Sequence, residues 1–252
     1  MADNLNNNSF VPSSALITGA SRGVGKALAL CLASSGNFRK IIITCKNNSD
    51  LLQDTAREIS KINPAITVIP STGDVSDYSY VENLRNTAGS VELIVNNAAI
   101  SYVGLLLDMS PEEWQNSVRT NISSVFNTCR VFVPDMIHAH SGRILNVSSV
   151  WGLAGASCEV AYSATKGAVN SFTRAFAKEL APSGISCNAI ALGIIDTDMN
   201  SNLSDSEKQC VCDEIPTGRM ATPDEAAAAI MNLIQMPDYF TGEVVRFDGG
   251  WL

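Results

Sequence analysis

The feature that most constrains the fold is an alternation that runs the length of the chain. Short apolar runs, several rich in β-branched residues, take turns with longer stretches of helical spacing. Residues 15–18, 41–45, 66–69, 93–95, 144–147, 186–191 and 243–247 read as strands. Residues 23–35, 50–63, 78–88, 111–132, 161–180 and 224–233 read as helices, one of them opened by the pair Ser110-Pro111. Buried strands separated by helices of this length imply βαβ units and a parallel sheet covered on both faces. The expected fold is therefore α/β: a Rossmann-type, doubly wound parallel sheet of about seven strands with helices on both faces.

No repeat, low-complexity linker or composition break divides the chain, so residues 13–252 read as one domain. At 252 residues that domain can bury a large core without a disulfide or metal staple. Residues 1–12 begin Asn-rich and polar, lack the order of a signal peptide, and read as a frayed or disordered tail. Residues 193–217 carry Asp196, Asp198, Asp205, Glu207, Asp213 and Glu214, a polar insertion where a substrate lid would sit at the carboxyl edge of the sheet.

With 25 acidic against 17 basic residues and a formal charge of -8, the chain is a poor partner for nucleic acid or an anionic membrane. No apolar run reaches membrane-spanning length, and the cytoplasm is the expected location. The seven cysteines are odd in number and scattered, which argues for reduced core fillers rather than a disulfide framework. Cys210 and Cys212 have no second Cys/His pair after them, and His138 and His140 do not share a helix face, so no metal site is expected.

After the first strand comes Thr18-Gly-Ala-Ser-Arg-Gly-Val-Gly25. Glycines between a strand and a helix let the backbone turn sharply and bring a pyrophosphate to the amides at the helix N-terminus. Gly19, Ser21, Arg22, Gly23, Val24 and Gly25 are thus candidate cofactor-binding residues. The spacing T-G-x-x-x-G-x-G resembles the short-chain dehydrogenase/reductase family, and other segments extend the likeness from about Ser13 to Leu252. Asn96-Asn-Ala-Ala99 stands where the family has Asn-Asn-Ala-Gly, and Ser149, Tyr162 and Lys166 reproduce its Ser and Tyr-x-x-x-Lys. Ala99 and Leu192 depart from the family's Gly and Pro, at positions that set backbone geometry rather than chemistry.

The resemblance implies ketone reduction with Asn121, Ser149, Tyr162 and Lys166 as catalytic residues. Tyr162 would act as the acid. Lys166, four residues on and on the same helix face, would favour its phenolate together with the oxidised nicotinamide. Ser149, whose spacing to Tyr162 fits better than that of Ser148, would hold the carbonyl oxygen, and Asn121 would support a proton-carrying water chain. Lys166 would also hydrogen-bond the nicotinamide ribose. The resemblance further places Asp74 and Val75 at the adenine, Asn96 at the adenine-side ribose, and Ala98, Gly193, Ile195 and Thr197 along the cofactor, the last two at the carboxamide.

The expected cofactor is NADPH/NADP+. The position about twenty residues past the glycine turn, where an NAD site usually has a carboxylate, is Cys45. Lys46 follows it and Arg22 approaches from the turn, so two cations and no carboxylate would form a site for the 2′-phosphate.

Over the whole chain the resemblance is to bacterial 3-oxoacyl-acyl carrier protein reductases, but His140 and Ser183 stand where those enzymes carry carrier-docking arginines beside the active-site mouth. Residues 149–162 resemble reductases of the 5-aminopentanone modification on elongation factor P, in which Glu159 would receive an amine; under either reading Trp151 and Cys158 would border the pocket. The expected partner is a small-molecule or thioester ketone, free or protein-linked, and the family analogy implies a homotetramer. A non-catalytic NADP-binding sensor is the reading from another class; the presence of both Tyr162 and Lys166 speaks against it.

Overall fold

The apolar runs form one sheet. In the computed structural model, which describes residues 10–201 and 204–252, seven strands pair entirely in parallel. They are β1 (Ser14–Ile17), β2 (Lys40–Cys45), β3 (Thr67–Thr72), β4 (Leu93–Asn96), β5 (Gly142–Ser149), β6 (Ile185–Leu192) and β7 (Val244–Phe247), in the order β3-β2-β1-β4-β5-β6-β7. This is the doubly wound Rossmann-type sheet that the alternation predicts.

The helices are α1 (Gly23–Ser34), α2 (Ser49–Ile62), α3 (Tyr78–Ala88), α4 (Pro111–Val118), α5 (Ser124–Ala139), α6 (Trp151–Ala154), α7 (Val160–Leu180), α8 (Asp205–Glu214) and α9 (Pro223–Ile234). Side chains alternate across each strand, so both faces of the sheet are apolar. Ala15, Ile17, Ile41 and Ile43 pack with α1, α2 and α9; Leu16 and Ile42 pack with α3, α5 and α7.

Two elements differ from the sequence expectation. The helix predicted over 111–132 runs on to Ala139, with a π-helical turn at Arg119–Ser123 between α4 and α5 and Pro134 inside α5. The polar stretch 193–217 contains α8, whose residues are all at least partly exposed. With no buried face to generate a periodic pattern, its only signal is the capping box Ser204-x-x-Glu207. Asn202 and Leu203 of that expected lid, and residues 1–9 of the expected tail, lie outside the described residues. The described end of the tail is packed: Pro12 is buried, and the Phe10 carbonyl accepts a 2.9 Å hydrogen bond from the buried Arg143. Among the described residues no helix is long and apolar enough to cross a membrane.

Candidate active site

The sheet order reverses between β1 and β4. The chain leaves β1 toward β2 on one side and returns to add β4 on the other, so the loops beyond their carboxyl ends part and leave a crevice. The glycine turn fills one wall. Gly19 is left-handed, at φ +68°, and a Cβ on Gly25 would lie 2.3 Å from the Gly19 carbonyl oxygen, so α1 packs against the turn only because Gly25 is bare. Thr18 Oγ1 accepts from the amides of Asn97 and Ala98, each at 3.0 Å. Asn97 Nδ2 donates back to the carbonyls of Thr18 and Gly19. Asn97 is therefore the staple between β4 and the turn.

Gly19, Ser21, Arg22, Gly23, Val24, Lys46, Asp74, Val75, Ala98, Ser149, Tyr162, Lys166, Gly193, Ile195 and Thr197 all line a single cleft of about 1100 Å³. That exceeds the range of ordinary small-ligand pockets and leaves room for a dinucleotide and a substrate together. A bare-glycine cradle ending at the N-terminus of α1, whose cap residue Arg22 makes no side-chain cap bond, fits a pyrophosphate.

Three candidate residues do not line the cleft. Gly25 supports it from behind. Asn96 departs from the expectation that it meets a ribose. Its Nδ2 donates to Asn146 Oδ1 at 2.8 Å and its Oδ1 accepts from Thr128 Oγ1 at 2.6 Å, so the buried side chain is spent on β5 and α5. Asn121, in the π-helical turn, pairs with both backbone groups of Ile100 and donates to Thr165 Oγ1 at 3.0 Å. Thr165 in turn donates to the Tyr162 carbonyl at 2.9 Å, so Asn121 ties the loop after β4 to the start of α7.

At the reacting end, Lys166 is almost fully buried, and burial pushes its ammonium down to about 8. Its Nζ lies 5.6 Å from the centre of the Tyr162 ring. Burial and the nearby charge of Glu159 push the Tyr162 phenol well above its ordinary value, with a hydrogen bond to Ser149 opposing them. The phenol is thus held in its protonated form, the form a proton donor needs. Glu159 lines the same cleft and accepts a 2.6 Å hydrogen bond from Ser101 Oγ. Trp151 and Trp251 meet edge to face at 4.8 Å and both line the cleft. Trp251 is placed by Asp248, whose carboxylate accepts from the amides of Gly250 and Leu252. Ser101, Val103 and Trp251 also line the cleft, and nothing local in the sequence ties them to it. Cys158 sits in the left-handed region at φ 62°, and its carbonyl accepts from Gly104 N at 2.8 Å, joining the two loops at the cleft mouth.

Two charge expectations need correction. Arg22 and Lys46 are both paired: Lys46 with Asp74 at 2.7 Å, and Arg22 with Asp198 at 3.3 Å. Burial pushes the Asp74 carboxyl up, but its hydrogen bonds with Lys46 and Ser76 outweigh that and hold it low. The second concerns His140 and Ser183. They immediately precede β5 and β6, whereas the cleft lies at the far ends of these strands. Eight-residue strands put them roughly 23 Å from the Ser149 end within one chain, at about 3.3 Å per residue.

Residues 13–208 match the family model of the short chain dehydrogenases. The chain belongs to the short-chain dehydrogenase/reductase family. Its short-chain dehydrogenase/reductase relatives span nearly its whole length. An uncharacterized oxidoreductase of Bacillus subtilis (strain 168), YmfI, is 38% identical over 239 residues, 94% of this chain and 98% of that protein. The 3-oxoacyl-[acyl-carrier-protein] reductase FabG of Escherichia coli (strain K12) is 35% identical over 239 residues, 94% of this chain and 96% of its own. Among solved structures, a 3-oxoacyl-[acyl-carrier protein] reductase from Brucella melitensis superposes with a TM-score of 0.88 at 31% identity, covering 97% of this chain and 93% of the other. The protein is therefore an oxidoreductase of this family.

Proposed function

We propose that this oxidoreductase reduces a ketone to a secondary alcohol with NADPH, in the manner of a 3-oxoacyl-acyl carrier protein reductase. The observation that carries the reading is the meeting of Ser149, Tyr162 and buried Lys166 in one cleft with the glycine turn. The names of several relatives at about 35% identity support the same reaction class. A nicotinamide cofactor would supply the hydride. Ser149 holds the carbonyl oxygen, and Tyr162 gives its phenolic proton to that oxygen as negative charge develops on it. Lys166 is anchored on β5 with its Nζ 5.6 Å from the centre of the phenol ring. Gly19, Ser21, Arg22, Gly23 and Val24 cradle the phosphates, with Lys46, Asp74 and Val75 around the adenosine half and Gly193, Ile195 and Thr197 beside the nicotinamide.

One feature of the cleft favours a second substrate reading, the 5-aminopentanone modification on elongation factor P. Glu159 offers a carboxylate in the cleft that Trp151 and Trp251 also line, and a cleft holding both a carboxylate and aromatic rings suits an ammonium group. The deciding experiment is NADPH consumption with a 3-oxoacyl thioester, its carrier-linked form, and modified elongation factor P. Turnover of the thioesters supports the first reading, and turnover of the modified factor alone supports the second. Tight NADPH binding with no turnover of any ketone would leave the chain a sensor.

A further inference from the structure

The adenosine end of the cleft is not a simple positive pocket. β1 and β2 run side by side, and the amide of Ala20 donates to the Thr44 carbonyl at 2.9 Å, which brings Arg22 and Lys46 to the same end. Asp74 and Asp198 line that end too, so the four charges sum to zero. The two carboxylates are not equivalent. Asp74 is anchored in its own turn, where it accepts from the Ser76 amide at 2.9 Å. Among the described residues the Asp198 side chain has Arg22 as its only partner.

Asp198 also comes from the other side of the cleft. It opens the short helical turn Asp198–Asn200 after β6, 176 residues away from Arg22. Thr197 packs against the glycine turn here, its Cγ2 3.4 Å from where a Cβ on Gly23 would stand. The backbone of this segment is held independently: the Asp196 amide donates to Ala221, and Asn200 Nδ2 donates to the Ile195 carbonyl at 2.8 Å. Removing the Asp198 charge therefore leaves the segment in place and frees only Arg22.

We propose that Asp198 is a specificity-determining residue for the cofactor: it holds Arg22 across the cleft, and a 2′-phosphate must take the guanidinium from it. The inference rests on the NADPH reading above. A cofactor with a free 2′-hydroxyl makes no such demand on Arg22, so Asp198 weakens binding of the phosphorylated cofactor selectively. Both partners are more than half exposed, at 58% and 65%, so the effect is that of a surface ion pair rather than a buried one.

The test is direct binding of NADPH and NADH, followed by fluorescence titration, to the wild type, Asp198→Asn, Arg22→Ala and the double variant. Asp198→Asn is expected to tighten NADPH by about two- to fivefold, the range of exposed ion pairs, and to leave NADH unchanged. In the Arg22→Ala background the same substitution should change neither affinity, because the effect passes through the guanidinium. An unchanged NADPH-to-NADH ratio in Asp198→Asn overturns the proposal, as does an equal gain in the Arg22→Ala background, which would signify general repulsion. A wild type that binds both cofactors equally defeats the NADPH reading itself, and that result is read before any variant is compared.

Discussion

Lys166 Nζ donates a 2.7 Å hydrogen bond to the Val147 carbonyl, so the ammonium of the active-site helix is seated on the strand that carries Ser149. Ser148 Oγ returns a 3.3 Å bond to the Lys166 carbonyl. Ser149 and Lys166 therefore keep their relative position without help from a ligand. The seat is buried, and that has a consequence for pH. A cation whose value is lowered to about 8 loses its charge as pH rises past that point. The Tyr162 phenol, pushed upward by burial and Glu159, is still protonated there. The kcat/KM for ketone reduction should be level on the acid side and fall through about pH 8. A profile flat to pH 10 would remove Lys166 from control of the reaction.

Tyr162→Phe should lower turnover by about a hundredfold or more, the usual contribution of a positioned acid, while NADPH affinity stays nearly unchanged. A variant retaining above about a tenth of wild-type turnover would take the phenol out of the mechanism.

Glu159→Gln separates the two substrate readings. The carboxylate sits in the cleft with Ser101 donating to it, and its charge raises the Tyr162 phenol. If the substrate carries an ammonium, the substitution should raise KM for it by roughly tenfold, the loss of one charge-assisted hydrogen bond. KM for a neutral thioester should hold steady. Equal effects on both would show that Glu159 does not read the substrate's charge.

Gly25→Ala should damage the fold and the cofactor site together. Its Cβ would stand 2.3 Å from a backbone oxygen that cannot rotate away, so α1 or the turn must move. Overpacking of this kind costs about 1–3 kcal/mol, measurable as a lower denaturation midpoint. NADPH affinity should fall with it. Normal affinity and stability would show that the turn yields more easily than its geometry implies.

Arg143 makes a purely structural prediction. It is buried at the amino end of β5, where it donates to the carbonyls of Phe10 and Met236 and pairs with Asp238 at 2.8 Å. Arg143→Met should cost about 1.5–3 kcal/mol through the lost charge-assisted bonds. Catalysis below the unfolding transition should survive, since the cleft lies at the other end of the strand. Loss of activity without loss of stability would contradict this division.

Much of the site was legible because its signals are local. The glycine turn and the Tyr162-to-Lys166 spacing each occupy a few residues whose geometry one helix or turn dictates. The pairing of Arg22 was not, because its partner lies 176 residues away and an acidic lid looks the same whether or not one of its members crosses the cleft. Asn96 and Asn97 show a finer limit. They are identical neighbours, but Asn96 ends β4 and is turned toward β5 and α5, while Asn97 follows it and reaches the glycine turn. The edge of a strand, blurred by a residue or two in any sequence reading, decides which amide does which work. Trp251 was silent for another reason: its meeting with Trp151 depends on Asp248 curling the last residues back over the cleft.

The strand order β3-β2-β1-β4-β5-β6-β7 also bears on how the chain is made. β2 and β3 add in turn to one edge of β1, and β4, β5, β6 and β7 add in turn to the other. Each strand leaving the ribosome therefore meets an edge that is still open, and no finished pair must part to admit a newcomer. Residues up to Asn96 hold four adjoining strands and the complete glycine turn. An emerging chain can assemble this half before β5 and the helix bearing Tyr162 exist, while its β4 edge stands unpaired and exposed to other chains. Synthesis pauses in the stretch between β4 and β5 are where aggregation of this protein should concentrate.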